Sequence, residues 1–84
     1  MTTVRVRLFA ALREAAEATE VEAQGQTVGD VVDDLSERFG ERFAKIAAVG
    51  SFVVNGDRAA RSTPVTEGDE VALLPPVSGG KTNG

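Results

Sequence analysis

From Thr27 to Gly40 the apolar residues Val28, Val31, Val32, Leu35 and Phe39 recur at i, i+3, i+4, i+7 and i+11, and this stripe constrains the fold more than any other feature. A helix with one apolar side has to bury it. Its limits are written locally. The Thr27 hydroxyl can cap the first free amides, Asp30 favours the positive helix end, and Gly40 is placed to end the helix in a left-handed conformation. Asp33, Asp34, Glu37 and Arg38 fall on the opposite, solvated side. This is the main helix, and the segments around it indicate what it covers.

Those segments alternate with the period of strands. Thr3 to Phe9 places Val4, Val6 and Leu8 on one face and Arg5, Arg7 and Phe9 on the other. Ala10 to Ala18, rich in good helix formers, predicts a short helix with Ala11, Leu12, Ala15 and Ala16 on its apolar side. Thr19 to Ala23 reads as a second strand, with Val21 and Ala23 inward. Beyond the main helix, Glu41 to Val49 offers Phe43, Ile46, Ala47 and Val49 as apolar anchors, and its shortness before Gly50 predicts a turn of helix or an ordered loop. Phe52-Val53-Val54 leads into Asn55-Gly56, a hairpin turn whose two central residues need positive φ. A short strand around Arg58 to Arg61 follows, then a loop through Pro64, Glu67, Gly68 and Asp69. The last strand is Glu70 to Leu74, with Val71 and Leu73 inward and Ala72 and Leu74 facing the other way.

A mixed sheet of about five strands, with the first and last parallel in the middle and the main helix across one face, accommodates this order. That is an α+β β-grasp, the ubiquitin-like architecture. Residues 1–75 form the expected domain and residues 76–84 a tail.

Composition narrows the function. With no cysteine and no histidine among 84 residues, thiolate metal sites, disulfides, cysteine nucleophiles and the commonest general base are all excluded. Neither a bound metal nor a resident cofactor is expected. A net charge of −4 disfavours nucleic acid and anionic membranes as partners. No apolar run approaches the roughly 20 residues of a membrane span, so a cytoplasmic location is expected. Asp69 and Glu70 are neighbours on a strand and face opposite ways, so they form no acid/base dyad.

The unusual residues gather after the last strand, in Pro75-Pro76-Val77-Ser78-Gly79-Gly80, with Lys81-Thr82-Asn83-Gly84 beyond. Two prolines fix φ, remove two amide donors and end the strand. Two glycines let the backbone enter a channel too narrow for side chains. From Pro75 to Gly80 the reach is about 20 Å at roughly 3.3 Å per residue, enough to carry a group from the domain into a partner's buried site. Taken alone, such a segment is most often a plain terminus.

Four motifs at domain-wide spacing weigh against that plain reading. Val6-Arg7-Leu8-Phe9-Ala10-Ala11-Leu12-Arg13-Glu14, Thr27-Val28-Gly29-Asp30-Val31, Val54-Asn55-Gly56 and Gly68 to Gly80 together resemble the small, sulfur-carrying subunit of molybdopterin synthase, over nearly all of residues 4–80. The resemblance implies that the Gly80 carboxylate, preceded by Gly79, is adenylated by an activating enzyme using ATP and converted to a thiocarboxylate with sulfur from a donor. The tail then enters the active site of the large subunit, where sulfur passes to the precursor of molybdopterin. The chain itself would be a non-catalytic carrier subunit. Chemically, a carboxylate is a poor acceptor until it gains a leaving group, which an acyl-adenylate provides.

The departure from the family pattern is Lys81 to Gly84, since Gly80 is held in a peptide bond. Cleavage after Gly80 by a processing peptidase, use of Gly84 instead, or an extension that abolishes transfer are the three possibilities. Phe9 and Leu74, on the outward faces of neighbouring strands, are expected to form an apolar partner footprint beside Pro75, Pro76, Val77 and Ser78. The alternative function is a ubiquitin-like modifier, or a sulfur carrier for thiamine, cysteine or transfer-RNA thiolation. A β-grasp interaction module with an inert tail is the third reading.

Overall fold

The structure, a computed structural model, describes residues 2–76. Five strands, β1 (Thr3–Leu8), β2 (Glu20–Gln24), β3 (Ser51–Val54), β4 (Asp57–Ala59) and β5 (Glu70–Leu74), alternate with α1 (Ala10–Ala16), α2 (Val28–Phe39) and α3 (Glu41–Ala48). They form one sheet in the order β2-β1-β5-β3-β4. β1 and β5 are parallel at its centre, with Val6 opposite Val71 and Leu8 opposite Leu73, and the other pairs are antiparallel. This is the β-grasp arrangement that the order of periodicities predicts.

The alternation decides which face is covered. Val4, Val6, Leu8, Val71 and Leu73 are each no more than 2% exposed, and they meet Leu12, Val28, Val31, Val32, Leu35 and Phe43 from the helices in one core. The opposite face carries Arg5, Arg7 and Glu70, and no element of the described residues lies over it. α2 begins as its cap residues dictate, with the Asp30 amide donating to Thr27 Oγ1 at 3.2 Å. The amides of Val28 and Gly29 donate to the carbonyls of Thr63 and Arg61, so the loop before β5 satisfies two more of the free helix-end donors. The same loop places Val65 in the core. Its isolation between polar residues hides that role in the sequence.

Five expectations change. Glu41 to Val49 is neither a single turn nor a loop: α3 runs for eight residues and buries Phe43 and Ala47 completely or nearly so. Tertiary burial outweighs its short length, because an aromatic side chain removed from water contributes more than one turn of helix costs. Gly40 has positive φ but not the left-handed helical conformation: at φ 100° and ψ −175° it ends α2 and starts α3 in one step. That region of backbone space is essentially restricted to glycine. Val49 is no anchor, since it is 65% exposed. The first strand stops at Leu8, and Phe9 instead precedes α1, its carbonyl accepting from the Leu12 amide at 3.1 Å. The fourth strand also lies earlier than expected, at Asp57–Ala59.

Candidate functional site

β5 leaves the centre of the sheet, and its two ends are held by different means. At its start the Asn55-Gly56 turn adopts the positive φ values of 50° and 87° that its sequence demands. The Asn55 side chain then does more than turn the chain. Its Oδ1 accepts from the Glu70 amide and its Nδ2 donates to Asp69 Oδ1, both at 3.0 Å, while its own amide donates to the Glu70 carbonyl at 2.8 Å. Asp69 Oδ2 accepts from the Thr66 amide at 2.8 Å. Donation from that amide, then from Asn55, holds the Asp69 carboxyl below its ordinary value of 3.8.

At the other end Leu74 pairs with Ser51 of β3, and β5 stops where Pro75 and Pro76 follow. Leu74 and Pro75 are half-buried and Pro76 is exposed. Gly50, immediately before β3, packs so closely on the Leu74 carbonyl that a Cβ there would overlap its oxygen. Val77, Ser78, Gly79 and Gly80, together with Lys81 to Gly84, lie outside the described residues.

The open face of the sheet carries a shallow groove of about 240 Å³ lined by Arg7, Phe9, Val53, Asn55, Gly56, Glu70 and Ala72. Phe9 is 36% exposed, and the Arg7 guanidinium stands 5.9 Å from its ring centroid, so this ring lies beside the charged rows of the open face. Arg7 also approaches Glu70 at 3.8 Å and Arg5 approaches Glu20 at 3.8 Å. All four side chains are largely solvated, so these pairs contribute little to stability and remain available to a partner. Leu74 shares the outward side of β5 but is not among the groove's lining residues. Val53 and Ala72 supply apolar lining that the sequence reading did not single out. Their signal was alternation: each follows or precedes an inward residue on a central strand.

Among the described residues no group of acidic side chains is arranged to hold a metal ion, and no helix is long and apolar enough to cross a membrane. β5 ends beside an open face of mixed apolar and charged residues.

The profile of the ThiS family matches residues 6–80. A molybdopterin synthase sulfur carrier subunit of Mycobacterium tuberculosis is 40% identical over 84 residues, covering 95% of this chain and 100% of that protein. A subunit of the same name from Escherichia coli is 36% identical over 81 residues, covering 92% and 99%. The solution structure of small archaeal modifier protein 1 from Methanosarcina acetivorans matches with a TM-score of 0.79 and 29% identity, over 94% of this chain and 97% of that one.

Proposed function

The chain belongs to the ThiS family, and from that premise we propose that it is the sulfur-carrier subunit of a molybdopterin synthase, bearing its sulfur as a thiocarboxylate on Gly80. The observation that carries the reading is where the family match stops: it runs from Val6 in β1 through the rest of the described fold, past Pro75 and Pro76, and ends on the second glycine of the pair. A match that included the fold and excluded the tail would have supported only a β-grasp module.

The chemistry follows from what this chain lacks. Without cysteine or histidine it has neither a thiol to carry sulfur nor an imidazole to move protons, which agrees with the family's use of a carboxyl as the carrying group. A backbone terminus that ends in glycine is the one carboxyl that can be threaded into a narrow site. An adenylating enzyme uses ATP to convert that carboxyl to an acyl-adenylate, a sulfur donor displaces AMP, and the large subunit of the synthase receives the loaded tail. Phe9, Leu74 and the rows of Arg7 and Glu70 are the surface offered to that subunit, with Pro75 to Ser78 leading into its site. Because Gly80 is followed by Lys81, residues 81–84 are removed by a peptidase before loading.

A second reading, a ubiquitin-like modifier or a carrier for another sulfur pathway, is favoured by the likeness to a protein named as a small archaeal modifier. One experiment separates the readings. Intact mass of the protein from its own cell reports whether the chain ends at Gly80 and whether sulfur has replaced one carboxyl oxygen. The 80-residue form is then tested for restoring molybdopterin synthesis in a strain lacking its small subunit. A chain that ends at Gly84 throughout, or a loaded chain that fails to restore synthesis, sinks the proposal.

A further inference from the structure

Gly50 lies far from the tail in sequence and against its root in space. A Cβ built on Gly50 would overlap the Leu74 carbonyl oxygen and come within 3.2 Å of the Leu74 carbonyl carbon and 3.4 Å of the Ile46 carbonyl oxygen. Gly50 is not among the glycines with positive φ, so any residue could adopt its backbone conformation. The requirement for glycine is therefore one of closeness between two backbones.

Gly50 is held in place, so Leu74 is the partner that has to yield to an added side chain. The Gly50 amide donates to the Ala47 carbonyl at 3.2 Å, tying it to the end of α3, which is anchored by buried Phe43 and Ala47. Its successor Ser51 is locked to Leu74 in the β3–β5 ladder, and one further step of that register sets Gly50 opposite Pro75. On the other strand, Leu74 precedes a proline and Pro75 precedes another. Residues before proline are restricted to extended conformations, and both prolines have fixed φ. A shift of the Leu74–Pro75 peptide therefore finds few backbone rotations to absorb it before Pro76.

We infer that Gly50 is a positioning residue for the C-terminal tail: its bare backbone sets the direction in which Leu74-Pro75-Pro76 leaves the sheet, and hence where the terminus is presented to a partner's active site. The functional half of this inference rests on the carrier reading above; the geometric half stands without it.

The test has a geometric arm and a functional arm. In the full chain carrying Gly50→Ala, solution NMR is expected to show the Leu74–Pro75 peptide moved by about 1 Å, the shift needed to restore an ordinary carbon–oxygen separation of about 3.3 Å, with β1, β2 and α2 unchanged. Superimposable positions of Leu74 to Pro76 overturn the inference. For the thiocarboxylated 80-residue form acting with the large subunit, Gly50→Ala is expected to lower the rate of sulfur transfer about tenfold at unchanged KM for the precursor. In a Pro75→Gly/Pro76→Gly background, where the joint is already loose, the same substitution is expected to lower the rate less than about twofold. Equal losses in both backgrounds signify general damage and overturn it.

Should Gly50→Ala fail to fold, a glycine inserted between Leu74 and Pro75 loosens the joint without touching residue 50. It is expected to cost about tenfold in transfer, against less than about twofold for a glycine inserted between Pro76 and Val77. Equal effects of the two insertions overturn the inference. If the wild-type chain never carries a thiocarboxylate, the carrier reading fails, and the displacement of Leu74 and Pro75 in Gly50→Ala alone decides the role of Gly50.

Discussion

The two faces of the central β1–β5 pair are built from alternate residues of the same eleven positions, yet they do different work. On one face Val4, Val6, Leu8, Val71 and Leu73 are sealed under three helices. On the other, Arg5, Arg7, Glu70, Ala72 and Leu74 are exposed or half-buried, with Phe9 and Val53 beside them. A one-residue slip in register would exchange the two faces, so the covered face holds the open one in register. Stability is concentrated on one side and, in the function proposed above, recognition on the other, and substitutions should separate accordingly.

The largest expected effect lies on the covered side. Phe43→Ala removes the largest fully buried side chain and should cost about 3–5 kcal/mol, read as the midpoint of denaturant unfolding. Because α3 also ends at the contact with Leu74, the loss is expected to loosen the tail's root as well. A cost below about 1 kcal/mol would mean that α3 is an appendage and not part of the core. On the open side the pattern should reverse. The double substitution Phe9→Ala/Leu74→Ala is expected to weaken binding to the large subunit by about 2 kcal/mol while stability falls by less than about 1 kcal/mol. Titration calorimetry with the large subunit checks the first figure and thermal unfolding the second. Unchanged binding would leave the groove without a role in that complex.

How far each face was legible follows from where its determinants sit. The Thr27 cap, the stripe from Val28 to Leu35 and the alternation of β1 and β5 are decided by residues a few positions apart, so inspection of the sequence finds them. The tail is equally local: Pro75, Pro76, Gly79 and Gly80 are visible as a run. α3 exceeds its sequence signal because its helix depends on the burial of Phe43, which packs on Phe39 of α2 within a core drawn from distant elements. Val49 departs from its expected anchoring role for the complementary reason: an apolar residue at the end of that segment is left exposed. Gly50 and Asn55 carried conspicuous local meanings, a stop and a turn. Their second roles lie in contacts with Leu74 and with Asp69 and Glu70, pairings 14 or more residues apart that emerge only once the strand order is known.

The smaller effects sharpen the contrast between the two ends of β5, one held by polar bonds and the other by backbone contact. Asn55→Gly keeps the positive φ of the turn and removes the side-chain bonds to Asp69 and Glu70, at an expected cost of about 1 kcal/mol. The smallest effect is on pH dependence. Asp69 is held below its ordinary value of 3.8 first by the Thr66 amide and then by Asn55, so its charged form is favoured by folding. A carboxyl with a depressed folded value binds fewer protons folded than unfolded, so its contribution is fully present above pH 3.8 and is lost as pH falls through the folded value. Removing Asn55 takes away the second cause and leaves the first. The Asp69 titration midpoint in Asn55→Gly, followed by carboxyl carbon NMR, should therefore rise towards 3.8 without reaching it, and stability should fall less steeply with acid than in the wild type. A midpoint unmoved by the substitution would assign the whole shift to Thr66, and the polar end of β5 would then be fixed by its own loop without help from the hairpin.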